Sequence, residues 1–321
     1  MHLRASLYAL VLAVALAWVL PAQAQETLQS ALRARLEADV NRVGDQLSGV
    51  LGFAIKDLAT GETFLRLPDT VFPQASSIKL TILLELMHQA QEGKLSLDEK
   101  HTVRRSEMTV ADDEAILNKL GDGTMTMTLR DLAVFMLVLS DNSATNILLD
   151  RLGMENINAG LARLGLTETK LRRRMIDLDA ARRGNENVST PREMMLLLEK
   201  VRTGQALDAA HTEEFLRLLR LPKDSAFHKA LPSNVPIADK PGALEGVRCD
   251  SGIVEVPNRP LVLCVMTTYL AHDEDGERAV AEVAKLAYAY FDRLSRASAY
   301  GRVISTNLES PAQTVGLRRT S

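Results

Sequence analysis

The sequence predicts an α+β fold in which a mostly antiparallel sheet, built from both chain ends, carries an inserted all-helical lobe. Three observations predict it. Strand-like runs rich in β-branched residues fall between Val50 and Leu67 and again from Ile237 to Tyr269. Between those regions, apolar residues recur at helical spacing. One more amphipathic stretch follows the last strand, so the order is helix, two strands, a helical block, three strands and a helix.

The first residues stand apart from this pattern. His2 and Arg4 precede an uncharged apolar run from Leu7 to Leu20, and Ala22-Gln23-Ala24 follows. A short charged region, a short hydrophobic core and a small-x-small site read as a signal peptide over residues 1–24, leaving about 297 residues after cleavage. A retained anchor fits less well, because the run is short for a bilayer. The expected location is exported, periplasmic or secreted, with no membrane contact after cleavage.

Leu28 to Leu47 mixes charged and apolar residues at helical spacing, and Gly49 closes that helix. Val50 to Asp57 reads as a strand, Ala59-Thr60-Gly61 as a turn and Glu62 to Leu67 as the partner strand. After Phe72-Pro73, Leu80, Leu83, Leu84 and Met87 mark one buried helical face. Thr128 with Asp131 gives a capping-box-like start to a helix whose inner face is Leu132, Phe135, Met136 and Leu139. It stops at Ser140-Asp141-Asn142, and further helices end near Gly153 and Gly165. An irregular segment spans Leu171 to Ser189, and Thr190-Pro191-Arg192-Glu193 restarts helix with a cap, a proline at the first helical position and a glutamate two residues on. Val247 to Val256 and Leu261 to Tyr269 flank the turn Pro257-Asn258-Arg259-Pro260, a helix covers about Glu274 to Arg296, and Ala299 to Ser321 reads as a disordered tail. The expected lobes are a sheet lobe over about 25–70 and 235–298 and a helical lobe over about 71–234.

Composition excludes several function classes. The net charge is −3 with basic residues scattered, and Arg172-Arg173-Arg174 reads as a salt-bridged loop rather than a nucleic-acid site. The only tryptophan, Trp18, lies in the signal segment, so stacking platforms for nucleic acid are lacking. The histidines form no H-x-x-H or H-x-x-x-H pair, so neither zinc nor another cofactor is expected. If the proline turn is symmetric, Cys249 faces a residue near Thr268, too far from Cys264 for a disulfide, and two buried thiols are expected. The expected form is a monomer acting on a small molecule.

Candidate chemistry begins at Ser76. Lys79 stands three residues on, so both side chains leave one side of the same turn at a helix start. A serine hydroxyl needs a base within hydrogen-bond reach, which a lysine supplies if burial and neighbouring cations lower its pKa. The helix start adds free N–H groups suited to an oxyanion. An isolated S-x-x-K reads better as a cap serine and a solvated lysine than as a catalytic pair. Two further triplets change that: Ser140-Asp141-Asn142 in a helix-to-helix turn, and Lys240-Pro241-Gly242 on the first C-terminal strand.

In this order and spacing, S-x-x-K, S-D-N and a K-[T/S]-G-like triplet resemble the class A serine β-lactamases and their penicillin-binding relatives. The resemblance runs from about Leu28 to Arg296 and includes the flanking Phe72-Pro73 and Asn142-Ser143-Ala144-Thr145-Asn146. It implies the β-lactamase/transpeptidase-like architecture and a β-lactam substrate. It further implies Ser76 as nucleophile, Lys79 as proton acceptor, Ser140 as proton relay and Lys240 as its partner and carboxylate attractor. Asn142 would bind the substrate amide and position Lys79, while the N–H groups of Ser76 and Ala243, next to Gly242, would form the oxyanion hole. Arg248 looks like a further guanidinium for the carboxylate, or else a surface strand charge.

Two positions depart from the family pattern. Pro241 removes a hydroxyl and an N–H, which on strand alternation would face substrate rather than a sheet partner, so weaker β-lactam recognition and an intact sheet are expected. In the loop, aligning Leu178 with the leucine of the family's E-x-x-L-N puts Met175 at the glutamate and Asp179 at the asparagine. Methionine cannot act as a base. Asp177 either replaces the glutamate on a shorter arm or makes a loop salt bridge with the arginines. The sequence thus supports a serine hydrolase acylated at Ser76 that hydrolyses β-lactams. The alternatives are a β-lactam-trapping protein with little turnover, and an esterase or peptidase acting on cell-wall peptide or small esters.

Overall fold

The structure, a computed structural model, describes residues 28–109, 116–119, 124–298 and 300–304. Residues 1–24, expected to be a signal peptide, lie outside the described residues. Among those described, no helix is long and apolar enough to cross a membrane.

Val50–Asp57 (β1) and Leu261–Thr268 (β9) are buried almost throughout, as expected of continuous apolar strands covered on both faces. They pair antiparallel at the centre of a five-stranded sheet. Thr63–Arg66 (β2) lies outside β1, while Val247–Val254 (β8) and Ile237–Leu244 (β7) continue on the other side. The order is β2-β1-β9-β8-β7 with every neighbour antiparallel, so both chain ends build one sheet. β7 is an edge strand, and its ladder with β8 runs unbroken across Pro241, which pairs with Asp250. The sheet is intact there, as expected.

One face of the sheet packs against the helix over 28–46 (α1) and Asp273–Ser295 (α10). Phe53, Phe64 and Phe291 anchor this core, and Phe64, Tyr290 and Phe291 meet edge to face. Truncating Phe53 there would cost roughly 3–5 kcal/mol. The opposite face carries the helical lobe. Lys79–Gln91 (α2) is buried over nearly its whole length, surrounded by Leu129–Val138 (α3), Asn142–Leu152 (α4), Met154–Arg163 (α5) and Ala209–Leu219 (α8). Thr128 caps α3 in a capping box with Asp131, and Thr190 caps Pro191–Arg202 (α7) through Glu193 N.

Three details differ from the sequence reading. The short helix Ala226–Ala230 (α9) packs with the sheet-lobe core through Ala226 and Phe227, because a single turn buries itself against whatever apolar face lies nearest. Cys249 faces Met266 rather than Thr268, since Glu255 to Pro260 all belong to the connection and the pairing closes at Val254 and Leu261. Both cysteines are nonetheless buried free thiols, and burial pushes that of Cys249 up to about 12. Of the stretch expected to be a tail, residues 300–304 fold back on the end of the last helix, where Val303 bridges to Ala297 and Ser298 N donates to Arg302 O. Residues 305–321 lie outside the described residues.

Candidate active site

The chain reaches Ser76 through a tight anchor. Phe72–Pro73 (β3) pairs with Val188–Ser189 (β6), and Gln74 N donates to Asn187 O. A 3-10 turn over Ala75–Ile78 then feeds α2. Ala75 sits at φ +45, a conformation sparsely used by residues with a Cβ. Ser77 Oγ donates to Lys240 O at 2.7 Å, tying this turn to β7. A Cβ added at Gly242 would come within 2.6 Å of Gln74 O, 2.8 Å of Ser77 N and 3.0 Å of Ser76 N. Only glycine lets strand and turn approach so closely.

Lys79, the first residue of α2, is fully buried. Its Nζ donates to Ser140 O at 2.6 Å, Ser140 Oγ at 3.1 Å and Asn142 Oδ1 at 2.9 Å. Ser140 is placed by its neighbour: Asp141 caps α4 through Ala144 N and also accepts from Leu117 N, so it serves the backbone. Ser140 itself adopts φ +54 between α3 and α4, which turns its hydroxyl inward. That hydroxyl is fully used. It accepts from Lys79 and, at 3.2 Å, from Lys240 Nζ, and it donates to Ser76 Oγ at 2.8 Å.

Lys240 is almost fully buried, and its Nζ also donates to Pro241 O at 2.9 Å. Burial pushes its ammonium down to about 8, against the partial opposition of Asp239 and Asp250. Ser76, Lys79, Ser140 and Lys240, from three separate elements, thus form one hydrogen-bonded group. Ser76, Ser140, Asn142, Lys240, Gly242 and Ala243 line one cavity of about 730 Å³.

The loop opposite is built differently. Asn146, one turn into α4, brackets Met175: its Nδ2 donates to Met175 O at 3.1 Å and its Oδ1 accepts Met175 N at 2.9 Å. The side chain of Met175 lines the cavity, followed by Ile176 at φ +62. Asp177 does neither of the things expected of it. It is not among the cavity-lining residues, and its carboxylate caps Leu178–Arg182 (α6), accepting Ala180 N at 2.9 Å. Arg173 pairs instead with Glu186, Arg174 with Asp150 and Arg182 with Asp179. Asp177 stands two residues beyond Met175, at the start of α6, and the unpaired helical N–H groups there claim its carboxylate.

Arg248 is placed differently from Lys240. Strand alternation puts Lys240 and Gly242 on one face of β7 with Cys249 opposite Gly242, so Arg248 belongs to the other face. Its guanidinium pairs with Asp273 at 3.0 Å and donates to the carbonyls of Leu244 and Val247, although the side chain still borders the cavity. The inner position is taken by Cys249, whose thiol points to Gln74 O at 3.3 Å. Parity alone would have found it. Asn146 carried a weaker signal, its i+4 spacing from Asn142 on one helix face.

A model described as the beta-lactamase enzyme family matches residues 35–291. The chain is 27% identical over 263 residues to Beta-lactamase SME-1 of Serratia marcescens, covering 79% of this chain and 88% of that one. An ancestral class A beta-lactamase structure aligns with TM-score 0.73 at 28% identity over 79% of this chain and 99% of its own. A variant of PBP-A, solved as an acyl-enzyme complex with penicillin G, aligns with TM-score 0.72 at 26% identity over 82% and 97%.

Proposed function

This chain belongs to the beta-lactamase enzyme family of serine hydrolases, and from that premise we propose that it opens the β-lactam amide by acylating Ser76 and releases the product slowly. The observation that carries this reading is Ser140 Oγ, held between Lys79, Lys240 and Ser76 by hydrogen bonds of 3.1, 3.2 and 2.8 Å.

In this reading Lys79 reacts as the neutral amine, giving up one of the three hydrogen bonds it donates. It accepts the proton of Ser76 Oγ, directly or through a water, as that oxygen attacks the lactam carbonyl. The tetrahedral oxyanion is held by the N–H groups of Ser76 and Ala243, and Gly242 sets their separation through the close approach of β7. The lactam nitrogen leaves as the C–N bond breaks and takes a proton through Ser140, which Lys240 supports from behind. Lys240 attracts the substrate carboxylate, without help from a hydroxyl at Pro241 or from the outward-turned Arg248. Asn142 orients Lys79 through its Oδ1 and hydrogen-bonds the substrate's side-chain amide.

Hydrolysis of the acyl-enzyme then needs a base to activate water, and the loop offers Met175 at that place. Deacylation is therefore the slow step. A mutant of the structural neighbour PBP-A was captured as an acyl-enzyme with penicillin G, the kind of adduct this reading expects at Ser76. Export of the mature chain and action as a monomer complete the proposal.

The test is incubation with a chromogenic cephalosporin followed by intact-mass analysis. The expected outcome is one covalent adduct per chain, a burst of colour close to one equivalent and slow turnover after it. An unmodified mass together with p-nitrophenyl ester cleavage would instead establish an esterase.

A further inference from the structure

A second cavity lies between α2 and α5 and shares no lining residue with the one at Ser76. Thr81, Leu84, Glu85 and His88 stand at i, i+3, i+4 and i+7 on α2, so they share one helix face. Ile157, Gly160, Leu161 and Leu164 repeat that spacing along α5 and its cap. Both faces line this cavity, whose volume is about 190 Å³. Two apolar stripes at such spacing ordinarily close on each other as core. Here a carboxylate and a glycine interrupt them.

Glu85 is only 5% exposed, and a carboxylate buried that far ordinarily has its oxygens partnered. Its Oε1 accepts from Gln89 Nε2 at 2.8 Å, whereas its Oε2 accepts from no described residue. A Cβ added at Gly160 would lie 2.9 Å from that Oε2 and 3.5 Å from Arg163 Nη2. The glycine thus keeps open a space with a carboxylate oxygen on one side and a guanidinium on the other. Arg163 is exposed, lines the same cavity and makes no salt bridge to a described carboxylate, Glu85 included. Glu92, the other acid in its field, is held by Lys94 at 2.7 Å. Opposite charges that flank a space without meeting match a ligand carrying both. The walls between them are Leu84, Ile157, Leu161 and Leu164. At roughly 30 Å³ for each water, about 190 Å³ holds some six, so the site suits a molecule below drug size.

We propose that this cavity binds a free amino acid with a small apolar side chain. Its ammonium donates to Glu85 Oε2, its carboxylate accepts from Arg163, and its side chain packs among the leucines and Ile157. The ligand supplies the partner that the buried oxygen lacks, which offsets the cost of holding that charge between two helices. The site is separate from the chemistry at Ser76 and stands whether or not that serine is acylated.

The experiment is calorimetric titration of the mature chain with L-leucine, D-leucine, isopentylamine (leucine without its carboxylate) and isocaproate (leucine without its ammonium). At least one leucine enantiomer is expected to bind with a Kd below about 1 mM. Each truncated analogue should bind at least about tenfold more weakly, because it loses one charge-assisted hydrogen bond. Glu85→Gln should weaken leucine by about tenfold or more. Arg163→Gln, at an exposed residue, should leave isopentylamine unchanged and abolish the advantage of leucine over it. The proposal is overturned if neither enantiomer binds below about 1 mM, or if an analogue binds wild type as tightly as leucine does. Undiminished binding of leucine to Glu85→Gln also overturns it, by moving the ligand to another site. Should Glu85→Gln fail to fold, the comparison in Arg163→Gln decides: an advantage of leucine that survives there sinks the assignment.

Discussion

The corner around Ser76 and the loop around Met175 face one cavity but are made by opposite rules. In the corner, three elements converge on one hydroxyl whose donor and both acceptor positions are filled by Ser76, Lys79 and Lys240. In the loop, Asp177 caps a helix and Asp179 pairs with Arg182, while Met175, Ile176 and Leu178 line the cavity. In the proposed reading the first region makes the acyl-enzyme, and the second, with Met175 at the place of the base, breaks it slowly. Acylation and deacylation thus rest on separate pieces of structure, and one can be lost while the other stays whole.

The strongest way to break that contrast is to put the base back. Met175→Glu is expected to shorten the acyl-enzyme lifetime by roughly 10²- to 10⁴-fold, read as decay of the adduct mass. Met175→Gln, of similar shape without a base, should leave the lifetime near the wild-type value; equal lifetimes for both would place the loop out of reach of Ser76.

Gly242→Ala attacks the other side. Its Cβ would lie 2.6 Å from Gln74 O, so turn and strand must separate. A displacement approaching 1 Å costs about 10²-fold in acylation rate. Deacylation of whatever adduct forms should change much less, and a thermal melt should report the strain independently.

A smaller effect comes from pH. Burial pushes Lys240 down to about 8, so its ammonium is lost as pH rises through that value. Acylation that needs the ammonium falls about tenfold per unit above it, because the charged fraction falls in that proportion. An acylation rate flat up to about pH 10 would remove Lys240 from the step.

The smallest effect is expected at Asp177. As a cap, its change to Asn should leave adduct lifetime within about twofold, whereas Asp177→Ala should cost about 1 kcal/mol in denaturant unfolding. A lifetime lengthened many-fold by Asp177→Asn would return it to the role of base.

Much of this molecule was legible from sequence because the signals are local. The capping residues Thr128 and Thr190, the helix breaks at Ser140 and Gly153 and the continuous apolar runs of the C-terminal strands each act within a few residues. The triplets around Ser76, Ser140 and Lys240 could be grouped because their order and spacing matched a known pattern. What escaped was set by direction rather than by identity. Arg248 differs from Cys249 by one step of strand alternation, which reverses the face a side chain occupies. Asp177 has the right group, yet the N–H of Ala180 at the start of α6 claims its carboxylate. The pairing of Cys249 with Met266 depended on where a proline-rich connection began, which no residue in it announces.

The sequence by itself determined which hydroxyl, which ammoniums and which sheet were available, since side-chain chemistry and hydrophobic period are properties of residue and spacing alone. Only the tertiary structure decided which of them meet. Convergence of α2, the α3–α4 turn and β7 on one serine depends on packing between residues 64 and 100 positions apart, and local propensity carries no term for contacts at that range.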